Sequence, residues 1–159
     1  MPVIVDGHNL LWSIQKTGEE GESVSDVQMC RVLGDYLRLI GDKGEIIFDG
    51  IGPPDKSGFD NIYNLEVEFS GLASDCDSVM EHKISINSAP KRLTVVSSDR
   101  RLRDAARARR AISVKSEDFW VEVQNQLSRR REKREPPQKR HGISDSETDQ
   151  WMDFFGFEQ

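Results

Sequence analysis

Val3-Ile4-Val5-Asp6-Gly7 opens the chain with an apolar run cut off by an acid and a glycine. Three branched residues in a row, without alternation, read as a strand buried on both faces and ending in a turn. The same grammar recurs in Glu45-Ile46-Ile47-Phe48-Asp49-Gly50 and again in Leu93-Thr94-Val95-Val96-Ser97, with Asp99 close behind. Strands apolar on both faces belong to parallel sheets covered by helices, because each face must meet another apolar layer.

The intervening segments supply those helices. Residues 15–25 are polar and Gly-containing, a loop after which Ser23 or Ser25 caps a helix. Val27, Cys30, Leu33 and Leu37 then recur at helical spacing, and Gly41 is a stop signal. Leu65, Val67 and Phe69 alternate with Glu66 and Glu68, the period of a strand. A polar turn over 71–76, with Asp75 as a cap, precedes a helix near 77–86. A very basic helix is expected over 100–110, a short last strand at Ile112-Ser113-Val114, and a helix over 117–131 with Ser116 as N-cap. Strands alternating with helices predict an α/β, three-layer fold: a central, mostly parallel sheet with helices on both faces and right-handed crossovers. The domain is expected to span 1–131. A basic, Pro-containing linker follows at 132–143, then a short acidic aromatic helix at 144–159, opened by a Ser144/Glu147 capping box.

The 159 residues are enough for one domain with a core that needs neither disulfide nor structural metal. The two cysteines, Cys30 and Cys76, lack C-x-x-C spacing and suit reduced, buried thiols. No apolar run approaches a membrane span, and Met-Pro-Val-Ile-Val-Asp lacks the basic start of a signal peptide, so a cytoplasmic protein is expected. The net charge of -6 hides an asymmetry. Residues 1–90 hold 6 Lys/Arg against 16 Asp/Glu, residues 91–140 hold 16 against 7, and residues 141–159 hold none against 5. Acids able to hold a metal beside bases able to hold phosphates suit a polyanionic substrate. A solvated surface with a basic linker is the plainer alternative.

The acids fall where ligands bind in such folds, beyond the carboxyl ends of the strands at a switch in strand order. Asp6 closes the first strand, Asp49 the second, and Asp99 follows the fourth. If strands one and four are neighbours, Asp6 and Asp99 meet. Asp77 and Glu81 are four apart, hence on one helix face, and that helix can aim them into the same crevice. Gathered carboxylates repel, and a hard cation such as Mg²⁺ or Mn²⁺ relieves the repulsion. The three histidines show no metal-ligand spacing, which argues against zinc. Asp49 reads more simply as a turn residue, and Asn9 as a residue that hydrogen-bonds the site or its loop. Arg100, Arg101, Arg103 and Arg107 crowd the helix after Asp99 and are expected to contact phosphates, while Ser97 and Ser98 touch phosphate or orient Asp99. Trp12 borders the site or joins the core.

Ile4-Val5-Asp6-Gly7-His8-Asn9-Leu10-Leu11 resembles the opening motif of NYN-domain proteins, especially the YacP-like group. Ile47-Phe48-Asp49-Gly50, Val67-Glu68-Phe69-Ser70-Gly71 with Cys76-Asp77-Ser78-Val79-Met80-Glu81, and Val95-Val96-Ser97-Ser98-Asp99-Arg100-Arg101-Leu102 are similar to that group's later motifs, in the same order. The likeness covers roughly residues 3–130. It implies a PIN-like fold with strand order 3-2-1-4-5, and endoribonuclease or RNA-processing activity, in some members at the ribosome. Carried over by position, it implies metal-holding Asp6, Asp77 and Asp99, supported by Asn9 and Glu81. Cys76 departs from the alanine frequent in the family.

The expected function is a metal-dependent endoribonuclease acting on RNA. The rivals are a non-catalytic RNA-binding or ribosome-docking module with a degenerate site, and a receiver-like phosphorylation switch. The last wants adjacent acids after the first strand, where this chain has Asp6-Gly7. The aromatic tail with Trp151, Phe154 and Phe155 docks on its own domain or on a partner.

Overall fold

A computed structural model describes residues 2–17 and 24–134. Five parallel strands form one sheet in the order 3-2-1-4-5: β1 (Val3–Asp6), β2 (Gly44–Phe48), β3 (Leu65–Phe69), β4 (Thr94–Val96) and β5 (Ile112–Val114). The helices are α1 (Gly7–Thr17), α2 (Asp26–Ile40), α3 (Cys76–Ile86), α4 (Arg100–Ala108) and α5 (Ser116–Arg134). The fold is the expected α/β arrangement, with β1 central and flanked by β2 and β4.

Pleat parity sorts the core into two layers. Val3, Val5, Ile46, Phe48 and Val96 pack with Leu10, Met29, Leu33 and Phe119 in one layer, the side of α1, α2 and α5. Ile4, Ile47 and Val95 face the other way, against Met80 and Ile84 of α3 and Leu102 and Ala106 of α4. This division positions the site. Asp6 follows Ile4 and Ser97 follows Val95 at the two-residue period, so both are directed toward the α3/α4 side where β1 and β4 end.

The helix signals behave as their chemistry requires. Ser25 accepts the N–H of Gln28, whose side chain returns to the Ser25 N–H, a complete capping box at α2. Gly41 ends that helix in the left-handed conformation at φ 73°. Asp75 caps α3 by accepting the Ser78 N–H at 2.7 Å.

Four local readings are corrected. Asp6-Gly7 is not a turn, because β1 passes directly into α1. Acid-glycine pairs usually mark turns, but Leu10 and Ile14 give this segment a buried helical stripe, and Gly7 lets the helix start press on its neighbours. A Cβ there would lie 2.6 Å from the Phe48 ring and 2.9 Å from the Ile47 carbonyl. Residues 15–17, expected in a loop, instead form the end of that helix. Ser116 is not the cap of α5 but its first residue, with its hydroxyl drawn away to Asn9. That helix also runs through Arg134 instead of ending at 131. The expected linker beyond Arg134, the acidic aromatic helix and Ser23 lie outside the described residues.

Candidate functional site

Between the ends of β1 and β4 the chain gathers its acids. Asp6 is buried, and its Oδ2 accepts the Ser97 hydroxyl at 3.0 Å. Its Oδ1 lies 3.5 Å from the Cys76 sulfur, and the Asn9 backbone N–H also donates to the carboxylate. Burial raises the Asp6 pKa; the bonds from Ser97, Cys76 and Asn9 oppose the rise, and the charge of Asp49 adds to it.

Asp77 enters from the first turn of α3. Among the described residues, ligand atoms of Asp6, Cys76 and Asp77 all lie within 4.8 Å of one another. The Asp77 pKa is raised to about 6, first by desolvation and then by the charges of Asp99 and Asp6, with Arg101 pulling it back. Asp99 is thus an electrostatic neighbour of Asp77 but stands outside the tight three-residue group. It also caps α4, accepting the Arg101 N–H at 2.8 Å, while its own N–H is held by the Ser97 hydroxyl at 3.0 Å.

Around this group the polar side chains act as struts. Asn9 Oδ1 accepts the Ser98 N–H at 2.9 Å and the Ser116 hydroxyl at 2.6 Å, joining α1 to the loop after β4 and to the start of α5. Ser98 donates its hydroxyl to Glu117 at 2.6 Å and accepts the Ser116 N–H at 3.0 Å. The Ser97 hydroxyl is buried between Asp6, to which it donates, and the Asp99 N–H, which it accepts. Asp49 does more than end a turn: its Oδ1 accepts the Cys76 N–H at 2.6 Å, pinning the start of α3 beneath the end of β2.

Glu81 shares its helix face with Asp77 but is engaged by the Arg101 guanidinium. The other arginines of α4 differ from one another. Arg100 is almost fully exposed and lies 4.0 Å from Asp104, which Arg107 also approaches at 4.0 Å. Arg103 is half-buried, with its Nε lacking a hydrogen-bond partner. Trp12 is exposed, with the Lys16 ammonium 4.7 Å from its ring centroid, and so does not join the core.

The donor set tests the fit of a metal. Asp6 and Asp77 offer hard carboxylate oxygens, and both carboxyls hold protons more tightly than usual, a strain that a hard cation relieves. Cys76 is a soft atom in the same group. Burial and the charge of Asp6 push its thiol pKa up, and its sulfur lies 3.3 Å from the Ile47 carbonyl, so at neutral pH it is a protonated wall of the site. The residues fit an oxygen-preferring divalent ion. The place of Cys76 and the anchoring by Asp49 and Ser116 were missed from sequence, because each depends on contacts across 27 to 107 positions.

A parallel sheet of order 3-2-1-4-5, with carboxylates converging at the switch between β1 and β4, is the arrangement expected of a PIN-like domain. The chain belongs to the YacP-like NYN domain family, whose model matches residues 3–155, well past the motifs quoted above. A crystal structure of Rae1 (YacP) from Bacillus subtilis is similar to it at a TM-score of 0.68 and 18% identity, covering 98% of this chain and 92% of that one. A tryptophan-to-leucine variant of that protein gives 0.62 at 18% identity, with 100% and 94% covered. At that identity the likeness is one of fold. No curated protein matches the chain. Membership makes this a nuclease-family domain of the RNA-processing kind, with RNA as its class of partner. Among the described residues no helix is long and apolar enough to cross a membrane.

Proposed function

We propose that this protein is a cytoplasmic, metal-dependent endoribonuclease that hydrolyses RNA phosphodiester bonds, with RNA at or near the ribosome as its substrate. The observation that carries the reading is the convergence of Asp6 and Asp77, 71 positions apart in the chain, to within ligand distance of each other at the sheet's switch point. Asp99 adds its charge to the same place.

Asp6, Asp77 and Asp99 would hold Mg²⁺ or Mn²⁺, with Glu81 in reserve. The chemistry such an ion supplies is activation of water and relief of charge on the scissile phosphate. The protein's own groups hold and orient. Ser97 fixes the rotamer of Asp6, and Asn9 keeps the loop after β4 against α1. The N-terminus of α4 and the exposed Arg100 and Arg107 hold the RNA backbone, and Arg103 lines the same helix. Those contacts read phosphate rather than base, so binding weakens steeply with salt.

Cleavage of a structured RNA, followed on a denaturing gel, tests the reading. Wild type should cut with Mg²⁺ or Mn²⁺ and stop with a chelator. Asp6→Asn and Asp99→Asn proteins that still fold should bind RNA without cutting it. A wild type that binds RNA yet cuts nothing with either metal would instead be a docking module with a degenerate site.

A further inference from the structure

Arg101 is the one arginine of α4 shown joined to the carboxylates of α3. It extends from the first turn of α4 and engages Glu81 through Nε. Its Nη2 lies 3.4 Å from the Ser78 hydroxyl and its Nη1 lies 4.0 Å from Asp77 Oδ2. Among the described residues, Arg100 and Arg107, on the same helix, pair with Asp104 and not with α3. The arginine closest to the acidic pocket is therefore already neutralising two carboxylates that face it. A guanidinium and a divalent cation cannot both lie against Asp77 without mutual repulsion. Arg101 is also about half exposed, so its planar fork can turn outward to a phosphate.

We propose that Arg101 is an internal counter-ion that couples cation binding to RNA binding. In the free protein it occupies Glu81 and Asp77 and weakens cation binding. An RNA phosphate at the N-terminus of α4 draws the fork away and releases both carboxylates. By thermodynamic reciprocity, a bound cation releases Arg101 to the RNA backbone by the same factor. Arg101 is a positioning residue in this scheme. The scheme rests on the metal site proposed above and adds a substrate-dependent control to it.

The test measures Mn²⁺ affinity of the full chain by electron paramagnetic resonance, with and without a 2′-O-methyl oligoribonucleotide as an uncut strand. For wild type the oligonucleotide should tighten Mn²⁺ binding by about 5-fold or more. Arg101→Met should bind Mn²⁺ about 5-fold more tightly than wild type without the oligonucleotide, and should gain little when it is added. In a chelator, Glu81→Gln should tighten oligonucleotide binding, and that gain should vanish in the Glu81→Gln/Arg101→Met double variant. A folded Arg101→Met protein with wild-type Mn²⁺ affinity would overturn the coupling and leave Arg101 a staple between α3 and α4. A wild type that binds no Mn²⁺ at all would remove the metal site itself, a failure visible without any variant or oligonucleotide.

Discussion

The Ser97 hydroxyl lies 3.0 Å from Oδ2 of Asp6, joining residues 91 positions apart where two neighbouring parallel strands end. The Ser97 hydroxyl oxygen in turn accepts the N–H of Asp99. One buried hydroxyl thus holds two of the three acids assigned to the site. Ser97→Ala leaves a buried carboxylate oxygen and a backbone N–H each short of a partner. A loss of about 1–3 kcal/mol is expected, read from urea denaturation. Because the Ser97 bond lowers the Asp6 pKa, its removal should also move the acid limb of any pH–activity profile upward.

Asp77 gives a prediction with a definite sign. Its carboxyl is raised from 3.8 to about 6, so the folded state binds this proton more tightly than the unfolded chain does. The contribution is neutral below 3.8, becomes destabilising as pH rises toward about 6, and is constant above that. Asp77→Asn should therefore be more stable than wild type at pH 7, by on the order of 1–2 kcal/mol, and equal to it near pH 3. Melting temperatures across that range check this. Mn²⁺ should raise the wild-type melting temperature at pH 7 and leave the Asn variant nearly unmoved.

Asn9 should prove more than a loop residue. Its side-chain oxygen accepts two hydrogen bonds from elements brought together only by folding. Asn9→Ala should lower stability by roughly 1–3 kcal/mol, and should lower cleavage beyond what the lost folded fraction explains. Activity per folded molecule, with the folded fraction taken from circular dichroism, separates the two effects.

Gly7 is held by space rather than by torsion. Adding a methyl group there drives it into the Phe48 ring and the Ile47 carbonyl. Gly7→Ala should cost about 1–3 kcal/mol. Gly41→Ala should cost about 1 kcal/mol, since Gly41 needs only its left-handed φ and a Cβ there meets nothing within 4 Å. Parallel chemical denaturation of the two variants gives the comparison.

Both thiols should be inert in the native protein. Cys30 and Cys76 are buried, and the Cys30 pKa is pushed up to about 12 by desolvation and the charge of Asp26. An aromatic disulfide reagent should react with neither at pH 8 until denaturant is added, and then with both.

Much of this was legible in the chain. Val3-Ile4-Val5, Ile46-Ile47-Phe48 and Val95-Val96, short runs rich in β-branched residues, bounded by polar or glycine signals and alternating with helical segments, indicate a sheet covered on both faces. Ser25, Asp75 and Gly41 declare helix ends through bonds spanning only a few residues. Asp6 and Asp99 could be named because acids after strands are conspicuous, and Asp77 because it shares a helix face with Glu81 and matches the family's motif. Tertiary structure alone decided which acids approach closely, that Cys76 stands among them, that Arg101 is engaged by Glu81 and Asp77, and that Ser116 serves Asn9 rather than its own helix. The physical reason is range: torsional preference and apolar periodicity act over a few neighbouring residues and are written into local sequence. Hydrogen bonds and charge pairs between distant residues exist only after the sheet has set their distance and direction.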